Sequence, residues 1–276
     1  MTGAEAKNDR RIDLFAVRSI LFLPASNPRA IVKARQASSD LVVLDLEDAV
    51  KPEDKASARN AAVEAVADEW RMPLALRING VGSEWHSLDL DAAARSKADL
   101  VVIPRAISAH LVRGVAETVQ KPVLAMIETA AGVLAAEQIA QVCAGLIAGT
   151  NDLRADLRLP LYSGREPISA SLQIIVLAAR AAGITVFDGV FNNLDDTDGF
   201  ITEAEAGRAL GFDGKSLIHP NQITPCHKAF APGKAEIARA RALVAAFQGG
   251  AERFGNEMIE RMHVEAAQRV LERAAD

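Results

Sequence analysis

The chain has 276 residues, half of them hydrophobic and 4% aromatic, with a formal net charge of −5. That is enough apolar material for a large core, and acids and bases are mixed without a basic tract, which argues against a nucleic-acid partner. No apolar run reaches the length of a bilayer-spanning helix, so no membrane partner is expected.

Residues 1–13 are polar and charged and lack the apolar segment of a signal peptide, so residues 1–17 are expected to form a mobile N-terminal tail. Cys143 and Cys226 have no metal-binding spacing and are expected to be reduced thiols in a cytoplasmic protein.

From there the chain alternates apolar runs with Ala-rich helical patterns. Strands are expected at 19–24, 41–47, 74–79, 100–105, 123–129, 146–150, 184–188 and 216–219. Helices are expected at 28–37, 55–69, 88–94, 109–119, 134–142, 169–182 and 202–210, with Gly183 and Gly211 as C-terminal caps. The strands are continuous apolar runs, as parallel strands covered on both faces require. Eight such βα units predict an α/β TIM (β/α)8 barrel over 18–231; a doubly wound open sheet is the alternative. A long loop after Asp152, through 158–165, should overhang the active face. Residues 232–276 are expected to be a helical extension, with helices at 235–247 and 256–275, packing on the barrel or on a neighbouring subunit.

In such a barrel chemistry sits at the C-terminal ends of the strands. Nearly every predicted strand delivers a polar residue there: Asp45, Glu47 and Asp48; Arg77 and Asn79; Arg105; Glu128 and Thr129; Asn151 and Asp152; Asp188; His219. Two apolar runs that end in acids, Glu128 and Asp152, would stand side by side if their strands are neighbours. Two hard oxygen ligands make a Mg²⁺ site completed by water and substrate; the alternative is a carboxylate pair bridged to Arg77 and Arg105. Arg77, on an apolar strand, suits a substrate carboxylate or enolate oxygen, or else a structural pairing with Glu47 or Asp48. Glu47 and Asp48 could hold metal-bound waters or move protons. Asp45 should point the same way as Glu47, into the barrel with Arg77. His219 is either an acid/base or a structural histidine, and Asp188 either supports the metal site or packs the rim. The chain contains no Gly-x-Gly-x-x-Gly, P-loop or Gly-x-Ser-x-Gly motif. No lysine ends a predicted strand, which disfavours a Schiff-base aldolase. Metal-assisted enolate chemistry remains.

Four segments resemble the citrate lyase β-subunit-like family within the HpcH/HpaI aldolases: RSILFLPASNP at 18–28, LDLEDAVKP at 44–52 followed by Lys55 and Arg59, IET at 127–129, and GFDGKSLIHPNQI at 211–223. The resemblance implies a Mg²⁺-dependent lyase that cleaves or forms a 3-hydroxyacyl thioester of CoA or of a carrier protein, such as malyl-CoA, citramalyl-CoA or a citryl thioester. It implies Glu128 and Asp152 as metal ligands, Arg77 and Glu128 on the substrate, and assembly as a homotrimer or hexamer. Arg18, Arg29, Lys33 and Lys55 are expected as substrate or CoA contacts. The chain departs from the family at Pro24-Ala25, where Pro-Gly is common, and at Pro104-Arg105, where Pro-Lys is common. Near the C-terminus, GNEMIERMH at 255–263 places Glu260 where many members have an aspartate that reaches a neighbour's site. Glu260, Asp48 or a held water is then the expected base. A class II aldolase on free 2-oxo acids, and a non-catalytic or carrier-protein-dependent complex subunit, are the competing expectations.

Overall fold

The computed structural model describes residues 12–161 and 163–275. The expected tail up to residue 11 and Tyr162 of the long loop lie outside the described residues. From Ile12 onward the chain is already part of the fold. Ile12 and Leu14 pack on the barrel core and Val17 is buried in it, so the barrel unit begins ahead of the expected boundary at Arg18.

The apolar runs form β1 (Ser19–Pro24), β2 (Leu41–Asp45), β3 (Leu74–Arg77), β4 (Leu100–Ile103), β5 (Val123–Ile127), β6 (Gly145–Ala148), β7 (Thr185–Asp188) and β8 (Gly214–Leu217). They pair in parallel in sequence order and close as a barrel, with Ile20 opposite Leu41 on one side and Ser216 on the other. Closure leaves the barrel sheet without an edge, so the open-sheet alternative is excluded. The interior is filled by alternate residues, among them Ile20, Val43, Ala75, Val102, Leu124, Ile147 and Phe187.

The covering helices are α1 (Pro28–Ala34), α2 (Lys55–Ala67), α3 (His86–Arg95), α4 (Ala109–Val119), α5 (Ala130–Leu134), α6 (Ala136–Ala140), α7 (Thr150–Asp156), α8 (Ser169–Ala182) and α9 (Thr197–Leu210); α10 (Ile223–Phe230) follows β8 in sequence. Gly183 and Gly211 end α8 and α9 in the left-handed conformation, at φ 69° and 104°, as predicted. Three differences from the sequence reading have local causes. The Asp196 side chain accepts from Gly199 N and starts α9 five residues early. The helix expected at 134–142 is two short helices meeting at Ala135, because Thr129 caps an earlier start at Ala130. Asp152 lies in the first turn of α7 and not at a strand end.

The chain divides into two compact units, the first ending at Cys226 and the second beginning at His227. The second contains α11 (Lys234–Ala246), a hairpin of β9 (Glu252–Phe254) and β10 (Glu257–Ile259), and α12 (Arg261–Ala275). Its own core is Ala240, Leu243, Ile259, Val264 and Ala267. The hairpin replaces the start of the helix expected from residue 256. Gly255, at φ 61°, and Asn256 form its two-residue turn, a geometry that favours glycine. Among the described residues no helix is long and apolar enough to cross a membrane.

Candidate active site

β2 stops at Asp45 because its carboxylate captures the chain that follows. Asp45 Oδ1 accepts from Glu47 N at 2.9 Å and Oδ2 from Ala49 N at 3.1 Å. The same oxygens bind Arg77 in a fork, Nε to Oδ1 at 2.7 Å and Nη2 to Oδ2 at 2.6 Å. Arg77 lies over the Phe22 ring at 5.4 Å, and its Nη1 is 3.0 Å from Glu47 Oε2, at ion-pair distance but off hydrogen-bond alignment. Asp45 therefore does point inward with Arg77. With four bonds accepted, it holds the guanidinium and has little capacity left to act as a base.

Arg77 opens on a cleft of about 430 Å³ at the C-terminal end of the barrel. Phe22, Met126, Val190 and Ile218 form its apolar wall, and Asp48, Glu128, Asn151, Asp152 and Asn192 its polar one. Asn151 and Asn192 exchange amide hydrogen bonds at 2.8 and 3.2 Å. Thr150 and Ser216 also line the cleft, and their buried hydroxyls have no hydrogen-bond partner among the described residues. None of the described residues of the long loop lines the cleft.

Glu128 follows β5 and is buried. Its Oε1 accepts the backbone N–H of Arg105 at 2.6 Å, while burial pushes its carboxyl up to about 7, with the charges of Asp152 and Asp48 adding to the shift. Asp152 is also raised, first by burial and then by Asp48. Burial pushes Glu47 up to about 8, against the pull of Arg77. Gly149 is the space behind Glu128: a Cβ there would stand 2.4 Å from Glu128 Oε2.

These features fit a hard divalent cation. Three carboxylates, Asp48, Glu128 and Asp152, face one cleft, and each proton affinity that shifts does so in the direction of unmet negative charge. Among the described residues no group of three His, Cys, Asp or Glu side chains could enclose a metal alone. A site on Glu128 and Asp152 would leave the remaining positions to water and substrate oxygens, the habit of Mg²⁺. The alternative expected for this pair is only weakly met, since Arg105 Nη1 is 3.7 Å from Asp152 and both side chains are well exposed.

Other expected residues lie elsewhere. Arg18 precedes β1, and its carbonyl accepts from Lys215 N and Cys226 Sγ at the N-terminal end of the barrel, so its expected substrate contact is corrected. Lys55 is only 5% exposed and bonds backbone and Asn79 oxygens, which removes it as a CoA contact. His219 Nδ1 accepts from Asn221 N and caps the turn after β8, the structural reading. Asp188 packs the rim: it pairs with Arg165 at 2.6 Å and with fully buried Lys215 at 3.0 Å, and these cations hold its carboxyl low although burial acts the other way. Glu260 precedes α12 in the second unit, where its N–H donates to His263 Nδ1. The sequence reading missed Gly149, Asn192 and Ser216; only Gly149, directly after an apolar strand, carried a signal.

The chain is 40% identical over 269 residues to a (3S)-malyl-CoA thioesterase of Cereibacter sphaeroides, covering 93% of this chain and 94% of that one. It is 33% identical to citrate lyase subunit beta of Leuconostoc mesenteroides subsp. cremoris, covering 93% of each. Among solved structures it is similar to the protein CitE from Mycobacterium tuberculosis in complex with magnesium, acetoacetate and coenzyme A, with a TM-score of 0.86, 33% identity and coverage of 95% of this chain and 100% of that one. Residues 18–220 match the HpcH/HpaI aldolase/citrate lyase family, and the chain belongs to it.

Proposed function

We propose that this chain is a Mg²⁺-dependent carbon–carbon lyase acting on a 3-hydroxyacyl thioester of coenzyme A. The observation that carries the reading is a single cleft lined by both Arg77 and the Glu128–Asp152 pair. Relatives named for malyl-CoA and citrate lyase, and a structural neighbour holding magnesium and coenzyme A, support it. Mg²⁺ on Glu128 and Asp152 would supply Lewis-acid polarisation of the substrate's hydroxyl and carboxylate oxygens.

The chain's own residues do the rest. Asp48 faces the cleft and takes the 3-hydroxyl proton. The C2–C3 bond breaks, its electron pair moves onto the thioester carbonyl, and a 2-oxo acid and a thioester enolate form. Arg77, fixed by Asp45, stabilises the enolate oxygen. Burial pushes the Glu47 carboxyl up against the pull of Arg77, and the forked hydrogen bonds from Arg77 go to Asp45, which is the main counter-charge of the guanidinium. The free hydroxyls of Thr150 and Ser216 complete the polar wall around the substrate. Arg29 and Lys33 are assigned to the CoA phosphates, a reading supported by their exposure on α1, which follows the C-terminal end of β1.

Glu260 is assigned to the cleft of a neighbouring copy in a homotrimer or hexamer, where its protonated carboxyl donates a proton to C2, while the proton on Asp48 passes to solvent and Glu260 is reprotonated from solvent. Met258 and Met262, 64% and 60% exposed on either side of it, give it an apolar border for docking.

Relatives at 39–40% identity named (3S)-malyl-CoA thioesterase favour a second reading, hydrolysis at the same site. There water attacks the thioester carbonyl and the C–S bond breaks. Purified protein is given malyl-CoA, citramalyl-CoA and the free acids, each with Mg²⁺ and with EDTA, while 2-oxo acid and free thiol are followed together. Metal-dependent 2-oxo acid without thiol supports the lyase. Thiol without 2-oxo acid moves the assignment to a thioesterase. Turnover of free acids alone moves it to a 2-oxo acid aldolase, and silence with Mg²⁺ bound moves it to a carrier-protein substrate or a non-catalytic subunit.

A further inference from the structure

Behind the cleft, on the outer side of the barrel rim, lies a polar network that the mechanism above does not use. Lys55 opens α2. Its ammonium donates to Leu46 O at 2.8 Å, Glu47 O at 2.7 Å and Asn79 Oδ1 at 2.7 Å. The Trp85 ring closes over it at 5.0 Å. Asn79 donates from Nδ2 to the same Leu46 O at 2.8 Å. Asp89 accepts from Asn79 N at 2.9 Å and from Arg59 Nε at 2.6 Å. Two helices are thus tied to two successive carbonyls at the end of β2.

Stability is a poor reason for this arrangement. A buried ammonium is costly, all three of its protons go to neutral oxygens, and the N-terminus of a helix is the wrong end for a cation. A leucine or methionine would fill the space at less cost. An apolar side chain could not, however, hold two consecutive carbonyls turned outward. Those carbonyls belong to Leu46 and Glu47, immediately before the side chain of Asp48. On the inner side Asp45 grips the N–H groups of Glu47 and Ala49. The turn is therefore clamped between a carboxylate facing the barrel and an ammonium behind it.

We infer that Lys55 is a positioning residue: it fixes the turn that presents Glu47 to Arg77 and Asp48 to the cleft. The consequence for catalysis rests on the proposed function, whereas the rigidity of the turn does not.

The test is Lys55→Met, which keeps the stem and removes the donors, with Lys55→Gln as the milder variant should the first not fold. Backbone hydrogen exchange is followed by mass spectrometry in peptides covering residues 45–50 and, as the reference, β5 to β7. Protection at 46–50 is expected to fall at least tenfold with the reference strands unchanged. Equal loss across the barrel, or no loss, overturns the inference whatever the enzyme does. In steady-state kinetics kcat should fall at least tenfold with KM for the thioester changed less than threefold. In an Asp48→Asn background the further loss should be under threefold, because the group being positioned is already gone. Equal losses in both backgrounds would assign Lys55 to stability alone. If the wild-type chain turns over no thioester, the proposed function fails while the exchange result still decides this one.

Discussion

Arg105 donates its backbone N–H to Glu128 at 2.6 Å from a left-handed conformation, φ 48°. A non-glycine residue held there costs about 1–2 kcal/mol, and here the strained backbone aims a donor at a proposed metal ligand. The side chain, half-exposed and 3.7 Å from Asp152, contributes little. Arg105→Gly should retain activity within about threefold and melt no lower than wild type. Arg105→Val loses the same side chain but resists the left-handed region; it should lose at least about tenfold in activity and in Mg²⁺ affinity. Turnover, titration calorimetry and melting of the pair decide this, and equal behaviour of the two variants would refute it.

Gly149 leaves room for Glu128 and for nothing else, since an added Cβ would approach Glu128 Cβ to 2.3 Å. Gly149→Ala should displace the carboxylate. We expect Mg²⁺ affinity to fall at least about tenfold, with a stability cost of about 1–3 kcal/mol. Calorimetry alongside urea melts would show both; unchanged metal affinity would mean that Glu128 is not a ligand.

The raised carboxyls give a signed pH dependence. Glu47 at about 8 and Glu128 at about 7 bind protons more tightly folded than unfolded, where both titrate near 4.5. The folded state binds the extra protons between pH 4.5 and 8, so their contribution to stability is present below that window and lost as pH rises through it. Mg²⁺ needs Glu128 ionised, so it competes with the proton below about pH 7. The Mg²⁺-induced rise in Tm should therefore grow from pH 6 to pH 8. An increment independent of pH over that range would remove Glu128 from the metal site.

Lys215 is fully buried on β8, and its ammonium pairs with Asp188 at 3.0 Å and Glu203 at 2.8 Å on the outer face of the strand. Removing it strands buried charge, so Lys215→Met should cost about 3–5 kcal/mol in urea unfolding. Because it faces α9 and not the cleft, borohydride reduction in the presence of pyruvate should leave the protein mass unchanged. A trapped adduct on Lys215 would revive Schiff-base chemistry.

Much of the fold was legible because strand-forming runs and helix caps are local. β1 matches its expected bounds, β8 keeps its expected length but lies two residues earlier, and the other strands run one or two residues shorter, as at β2, where the Asp45 side chain captures the backbone that follows. The hairpin before α12 was hidden because Glu257–Ile259 also fits the helical pattern that follows it. The placement of Arg18 was within reach of the sequence, since a residue before a parallel strand lies at the opposite end from one after it.

The sequence by itself determined the barrel, the acids at its rim and the family, because apolar periodicity, strand direction and motif strings are properties of neighbouring residues. Only the tertiary structure decided what those residues do to one another. The Arg77 fork on Asp45, the Arg105 N–H on Glu128, the gap at Gly149 and the ammonium behind the Glu47 turn join groups from different strands and helices. Their distances exist only once the barrel closes, and burial, which shifts Glu47 and Glu128, follows from that closure.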